Sequence, residues 1–265
     1  MTETAPEPPL YRAIIEYDGA SLLGFQIQAE GRTVQGELEQ VLLRLIQQPT
    51  RVVGAGRTDA GVHAEGQVIA FRAFWKHDLS DLHRALNALL PTDIAVCSIE
   101  LAPPDFHPRF SALRRSYRYQ VGLWPNHSPL RARYAWELGP DLDVDAMNKA
   151  ASYLVGSHDF GSFGQPPQGE ITVRHVFSAH WTSEFPYLYF DITANAFLRR
   201  MVRNIVGTLV AVGRHNRHPD ELGAMLERQD RSLSASPAPP QGLILKAVIY
   251  PDNFNNTRDF CVPVG

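Results

Sequence analysis

The order of secondary-structure signals along the chain occurs twice, and that repeat restricts the fold more than any other feature. Residues 10–17 are β-branched and aromatic and read as a strand. Asp18-Gly19 ends it as a turn. Thr33 caps a helix that puts Val34, Leu38, Val41, Leu42 and Leu45 on one face. Short strands follow at 51–54 and 67–72, then a helix marked by Leu79, Leu82, Leu86 and Leu89 and stopped by Pro91, then a strand at 94–101. The order is β-α-β-β-α-β. A proline-bearing link at 103–108 interrupts it. The order then returns: a strand at 114–121, a helix capped by Asp143 with Val144, Met147, Ala151 and Leu154 inward, strands at 172–182 and 187–193 around a turn at 184–186, a long helix at 197–212, and a strand at 243–250. One extra short helix at 219–228 and a Pro/Ala/Ser loop at 234–241 precede the last strand.

The architecture repeats without evident repetition of sequence. It predicts an α+β fold of two ferredoxin-like halves, each a mostly antiparallel sheet with helices on one face. Bare sheet faces and edges must be covered or used, so the halves are expected to join edge to edge, with a central cleft for the ligand. The link is too short to suit two beads on a tether. The expected organisation is an acidic, proline-rich, disordered tail at 1–9, an N-terminal α+β domain at 10–108 and a C-terminal α+β domain at 109–265.

Net charge is −3, so bulk charge announces no polyanion-binding protein. Its distribution says more. Six arginines and one acid fall between residues 105 and 134, and five arginines with no acid between 192 and 218. Arginine outnumbers lysine 22 to 3, and its planar fork suits phosphate. Two such clusters on an otherwise acidic chain point to a focused anion site, against solvated faces as the plain alternative. The longest apolar run, 205–212, is broken by Gly207 and Thr208 and is too short to cross a bilayer. The N-terminus lacks a basic-then-apolar leader, which points to the cytoplasm. Cys97 and Cys261 are isolated and are expected as reduced thiols.

Candidate chemistry concentrates between the two short strands of the first half. Residues 54–61 hold three glycines, one arginine and one carboxylate. Glycines at that density allow turns and close approach by a flat ligand. The spacing is not that of a dinucleotide fingerprint, and Gly-Lys-Ser/Thr is missing, which argues against a nucleotide cradle. The ten histidines are scattered without zinc spacing, and no G-x-S-x-G elbow is present. What remains is Asp59, an acid of a type with reference pKa about 3.9 and usable as nucleophile or base. Arg57 stands beside it, and Arg203 on the long helix is a second candidate cation, sharing a helix face with Arg199. Tyr117 and Tyr119 point to one side of their strand with Arg118 on the other, a base-stacking platform or plain core packing.

The segment Gly56-Arg57-Thr58-Asp59-Ala60-Gly61-Val62-His63-Ala64 resembles the catalytic motif of the bacterial tRNA pseudouridine synthase A family. Further matches are Glu16-Tyr17-Asp18-Gly19 with Gly24-Phe25-Gln26, the run Asp105-Phe106-His107-Pro108-Arg109-Phe110-Ser111-Ala112, Tyr117-Arg118-Tyr119, Asn195-Ala196-Phe197, residues 201–207, and Gly242-Leu243. The resemblance implies isomerisation of uridine to pseudouridine in the tRNA anticodon stem-loop, at about positions 38 to 40, with no cofactor and no metal. It implies that Asp59 is catalytic, that Tyr117 stacks on the target base, that Arg203 pairs with Asp59, that Arg57 fills the gap left by the flipped nucleotide, and that Leu243 packs under the site. It also implies a cytoplasmic homodimer whose partner is tRNA. The rivals are a non-catalytic RNA-binding protein of the same fold, for which arginines and tyrosines suffice, and a small-molecule binding protein.

Overall fold

A computed structural model describes residues 6–166 and 169–254. The chain divides into two compact units, one made of residues up to 113 and from 248 on, the other of residues 114–247. The division falls five residues beyond the boundary placed at 108, and residues 248–254 return to the first unit.

In the first unit the strand β1 (Leu10–Tyr17) leads to the helix α1 (Val34–Ile46), the short strand β2 (Val53–Gly54), the strand β3 (His63–Arg72), the helix α2 (Leu79–Leu89) and the strand β4 (Ile94–Leu101). The sheet order is β4-β1-β3, with β2 against β3, and each of these pairings is antiparallel. Alternation on β1 buries Tyr11, Ala13, Ile15 and Tyr17. Above them lie Val34, Leu38, Val41 and Leu42 of α1 and Leu82 and Leu86 of α2. The Thr33 hydroxyl caps α1 by accepting from Gly36 N at 3.2 Å. Leu89 proves exposed and Leu90 buried instead, because the helix ends there and the chain turns inward. Part of the expected N-terminal tail is held: Ala73 N donates to Pro9 O at 3.2 Å and Arg72 to Pro8 O at 3.1 Å. The returning segment is locked by Tyr250, whose hydroxyl donates to Pro108 O at 2.6 Å and whose ring lies 4.7 Å from the buried Arg12 guanidinium. Cys97 lies on β4, and Cys261, expected with it as a reduced thiol, lies outside the described residues.

In the second unit come the strands β5 (Arg114–Gly122) and β6 (Trp136–Glu137), the helix α3 (Val144–Ser152), the strands β7 (Gly156–Asp159), β8 (Val173–Glu184) and β9 (Tyr187–Ala194), the helices α4 (Met201–Gly213) and α5 (Glu221–Arg228), and the strand β10 (Leu243–Ile249). The order β10-β5-β9-β8 repeats the order of the first unit position for position, with β7 added at the edge and β6 beside β5. Asp143 caps α3 by accepting from Ala146 N at 2.9 Å. Met147, Ala150 and Ala151 of α3 and Met201, Ile205, Val206 and Leu209 of α4 are buried on Phe190, Ile192 and Tyr119 of the sheet.

The long helix starts at Met201, four residues later than expected. Arg199 N donates to Gln165 O at 2.9 Å, and Arg200 takes a left-handed conformation with φ of 62°. The first helical bond therefore runs from Asn204 N to Arg200 O. Arg199 lies outside the helix, so the shared helix face expected for Arg199 and Arg203 does not exist.

Candidate active site

Asp59 sits half-buried in the turn between β2 and β3, with Thr58 buried before it and Arg57 exposed. The turn closes through Val62 N donating to Asp59 O at 3.2 Å. Gly61 has a φ of +78°, in the region that side chains resist, and this lets the chain reverse so soon after the acid.

The loop that follows β1 runs along this turn. Phe25 N donates to Thr58 O at 3.2 Å and Gly61 N to Leu22 O at 3.3 Å. A Cβ on Gly24 would lie 2.6 Å from Thr58 O, so the two loops approach at a distance only glycine permits. Gly19 N donates to His63 Nδ1 at 3.0 Å, and that nitrogen is 3.1 Å from Asp18 Oδ1. Side chains complete the support. The Tyr17 hydroxyl is 2.9 Å from Thr58 Oγ1, and Gln67 Nε2 donates to Gly56 O at 2.9 Å. Burial pushes the Tyr17 phenol up to about 12, partly opposed by its bond to Thr58.

In the second unit, Tyr117 on β5 is half-buried, with the Phe197 ring 5.0 Å away and nearly perpendicular. Tyr119 turns out to be core: it is fully buried, and its hydroxyl donates to Pro239 O at 2.8 Å. Burial raises its pKa, against the charge of Arg203. Arg203, half-buried on α4, donates from Nε to Ala238 O at 2.7 Å, while Ala238 N donates to Arg203 O at 2.9 Å. The segment 238–239 thus holds Arg203 and Tyr119 together. Leu243 follows it, buried at the start of β10. The structure places Asp59 and Arg57 in the first unit, and Tyr117, Arg203 and Leu243 in the second.

The arginine cluster of residues 109–133 is divided between two uses. Arg118 makes a two-pronged ion pair with Asp191, at 2.8 and 2.9 Å, over the Tyr189 ring. Its charge is compensated, which the run of arginines in the sequence conceals. Arg114 lies 4.1 Å over Phe177, Arg131 5.4 Å from the Trp124 ring, and Arg109 5.6 Å from Phe110. A guanidinium stacked on a ring is held in place and can still donate from its edge to an anion. Among the described residues no group of three His, Cys, Asp or Glu is placed to hold a metal ion.

Three residues of the site were given no role from the sequence: Tyr17 and Thr58, which lie in the matched motifs, and Gln67. The available signals were a hydroxyl between Arg57 and Asp59 and a glutamine heading an apolar strand.

The model of the tRNA pseudouridine synthase family matches residues 13–111 and 150–251, so Asp59, Arg203 and Leu243 lie inside the matched segments and Tyr117 between them. A tRNA pseudouridine synthase A of Geobacter sp. (strain M21) is 43% identical over 243 residues, covering 91% of this chain and 98% of that protein. One from Roseiflexus sp. (strain RS-1) is 43% identical over 249 residues, covering 92% of each chain. One from Syntrophotalea carbinolica is 43% identical over 240 residues, covering 90% of this chain and 95% of that protein.

Proposed function

The chain belongs to the tRNA pseudouridine synthase family, whose members isomerise uridine in tRNA, and from that premise we propose that Asp59 is the acid on which the reaction turns. The overall change is balanced without a co-reactant. The N1–C1′ bond breaks, C5 bonds to C1′, and one proton leaves C5 while N1 gains one. Nothing is oxidised, so no cofactor is called for.

The target nucleotide lies in the anticodon stem-loop, at about positions 38 to 40. A stacked base costs a few kcal/mol to swing out and needs a receiving pocket. Tyr117 offers the flat partner for the base, and Leu243 packs beneath it. Arg203 supplies the positive charge against which the carboxylate works. Arg57, exposed beside Asp59, occupies the gap that the nucleotide leaves. The ring-stacked arginines, Arg114 and Arg131 among them, contact phosphates along the stem. The enzyme acts in the cytoplasm as a homodimer, with tRNA as its partner.

The observation that carries this reading is the half-buried carboxylate of Asp59 in a turn held by bonds from β1, β3 and the loop after β1. The test is incubation of the purified protein with tRNA transcribed without modification, followed by nucleoside mapping. Pseudouridine confined to the anticodon stem-loop is expected. Pseudouridine elsewhere, or none, would overturn the assignment.

A further inference from the structure

We infer that Tyr17 and Gln67 are positioning residues for Asp59, acting through Thr58 and Gly56; the inference rests on Asp59 being the catalytic acid. Both side chains come from strands of one sheet. Tyr17 ends β1, and Gln67 lies in β3, which pairs with β1. Tyr17 is 3% exposed and Gln67 is 0% exposed, so neither meets solvent or substrate directly. The Tyr17 hydroxyl reaches Thr58 Oγ1 at 2.9 Å, and Thr58 is itself buried. Gln67 donates from Nε2 to Gly56 O at 2.9 Å. The result is two separate polar anchors from the sheet, Tyr17 on the Thr58 hydroxyl and Gln67 on the Gly56 carbonyl, which flank Arg57 and end one residue before Asp59.

Stability alone does not account for this arrangement. A polar group in the interior costs stability when its partner is removed, whereas Phe, Val and Met of similar volume would fill the same space without any bond. What the two bonds add is direction: they fix the positions of residues 56 and 58 relative to the sheet, and so the point from which the Asp59 carboxylate is presented. Reacting groups must be held to within about 0.5 Å of a productive geometry, and a displacement of about 1 Å costs about a hundredfold in rate.

The test compares Tyr17→Phe, Thr58→Val, Gln67→Met, Thr58→Ser and the double variant Tyr17→Phe/Thr58→Val with the parent enzyme, using unmodified tRNA and steady-state kinetics. Asp59→Ala serves as the reference. For Tyr17→Phe, Thr58→Val and Gln67→Met, kcat is expected to fall about 10- to 100-fold with KM within about twofold of the parent. Thr58→Ser, which keeps the hydroxyl, is expected to retain near-parent kcat. The double variant is expected to be no slower than its slower single variant, because the two changes cut one connection. If Tyr17→Phe does not fold, Thr58→Val and Gln67→Met decide the question by the same criteria. Parent kcat in the Phe, Val and Met variants with an inactive Asp59→Ala would overturn the positioning role and leave the catalytic acid standing. Multiplying losses in the double variant, or a loss that falls on KM alone, would also overturn it. Parent turnover in Asp59→Ala would remove both.

Discussion

Replacing Tyr119 by phenylalanine tests how the segment 238–239 is held. The ring is fully buried, and the variant keeps it, so no cavity of consequence forms. What is lost is one hydrogen bond, from the phenol to Pro239 O at 2.8 Å. A bond of this kind contributes about 1 kcal/mol net, and an acceptor left without a partner adds to the loss. Pro239 is half-buried, so water recovers part of that addition. The expected destabilisation is about 1–2 kcal/mol, or a Tm lower by about 2–8 °C at roughly 2–4 °C per kcal/mol. Tyr153→Phe is the control. Its hydroxyl donates to Asp220 at 2.8 Å from a residue that is 37% exposed, and the change is expected to stay within about 0.5 kcal/mol. Urea and thermal unfolding of both variants give the comparison. Equal stabilities for the two would refute the reasoning, since a buried bond would then weigh no more than an exposed one.

The Tyr17 phenol gives a pH prediction. Its folded-state pKa of about 12 lies above the unfolded value of 10.0, so its contribution is complete below pH 10 and is lost as pH rises towards 12. Tyr17→Phe should therefore show a shallower loss of Tm between pH 10 and 12 than the parent, and an unchanged slope would contradict the burial. Arg114→Ala should weaken tRNA binding and reduce the salt slope of log K by about 1, as measured by filter binding over a salt series. An unchanged slope would remove Arg114 from the phosphate contacts.

The repeated element order is visible in the sequence because strand and helix periodicities are local. Thr33 and Asp143 mark helix starts for the same reason: a cap is a bond to a residue three positions on. The misses share the opposite cause. The start of α4 depends on Arg199 pairing with Gln165, and nothing in residues 197–200 themselves breaks the helical pattern. The strand β7 is four residues long and largely polar, and only its partner β8 makes it a strand. Arg118 looked like part of an anion site until the register of β5 against β9 set Asp191 opposite it. Asp59 and its loop could be recognised from residue types alone, but the support from Tyr17 and Gln67 could not. A bond between positions 17 and 58 exists only once β1 and β3 are paired.

The most direct measurement is single-turnover kinetics of Asp59→Asn on unmodified tRNA, with tRNA affinity measured in parallel. Asparagine keeps the shape and removes the charge. The expected result is turnover lowered by at least about a thousandfold with tRNA affinity within about threefold of the parent, since the chemistry needs a carboxylate and binding draws on the arginines. Asparagine supporting parent turnover would contradict the central claim.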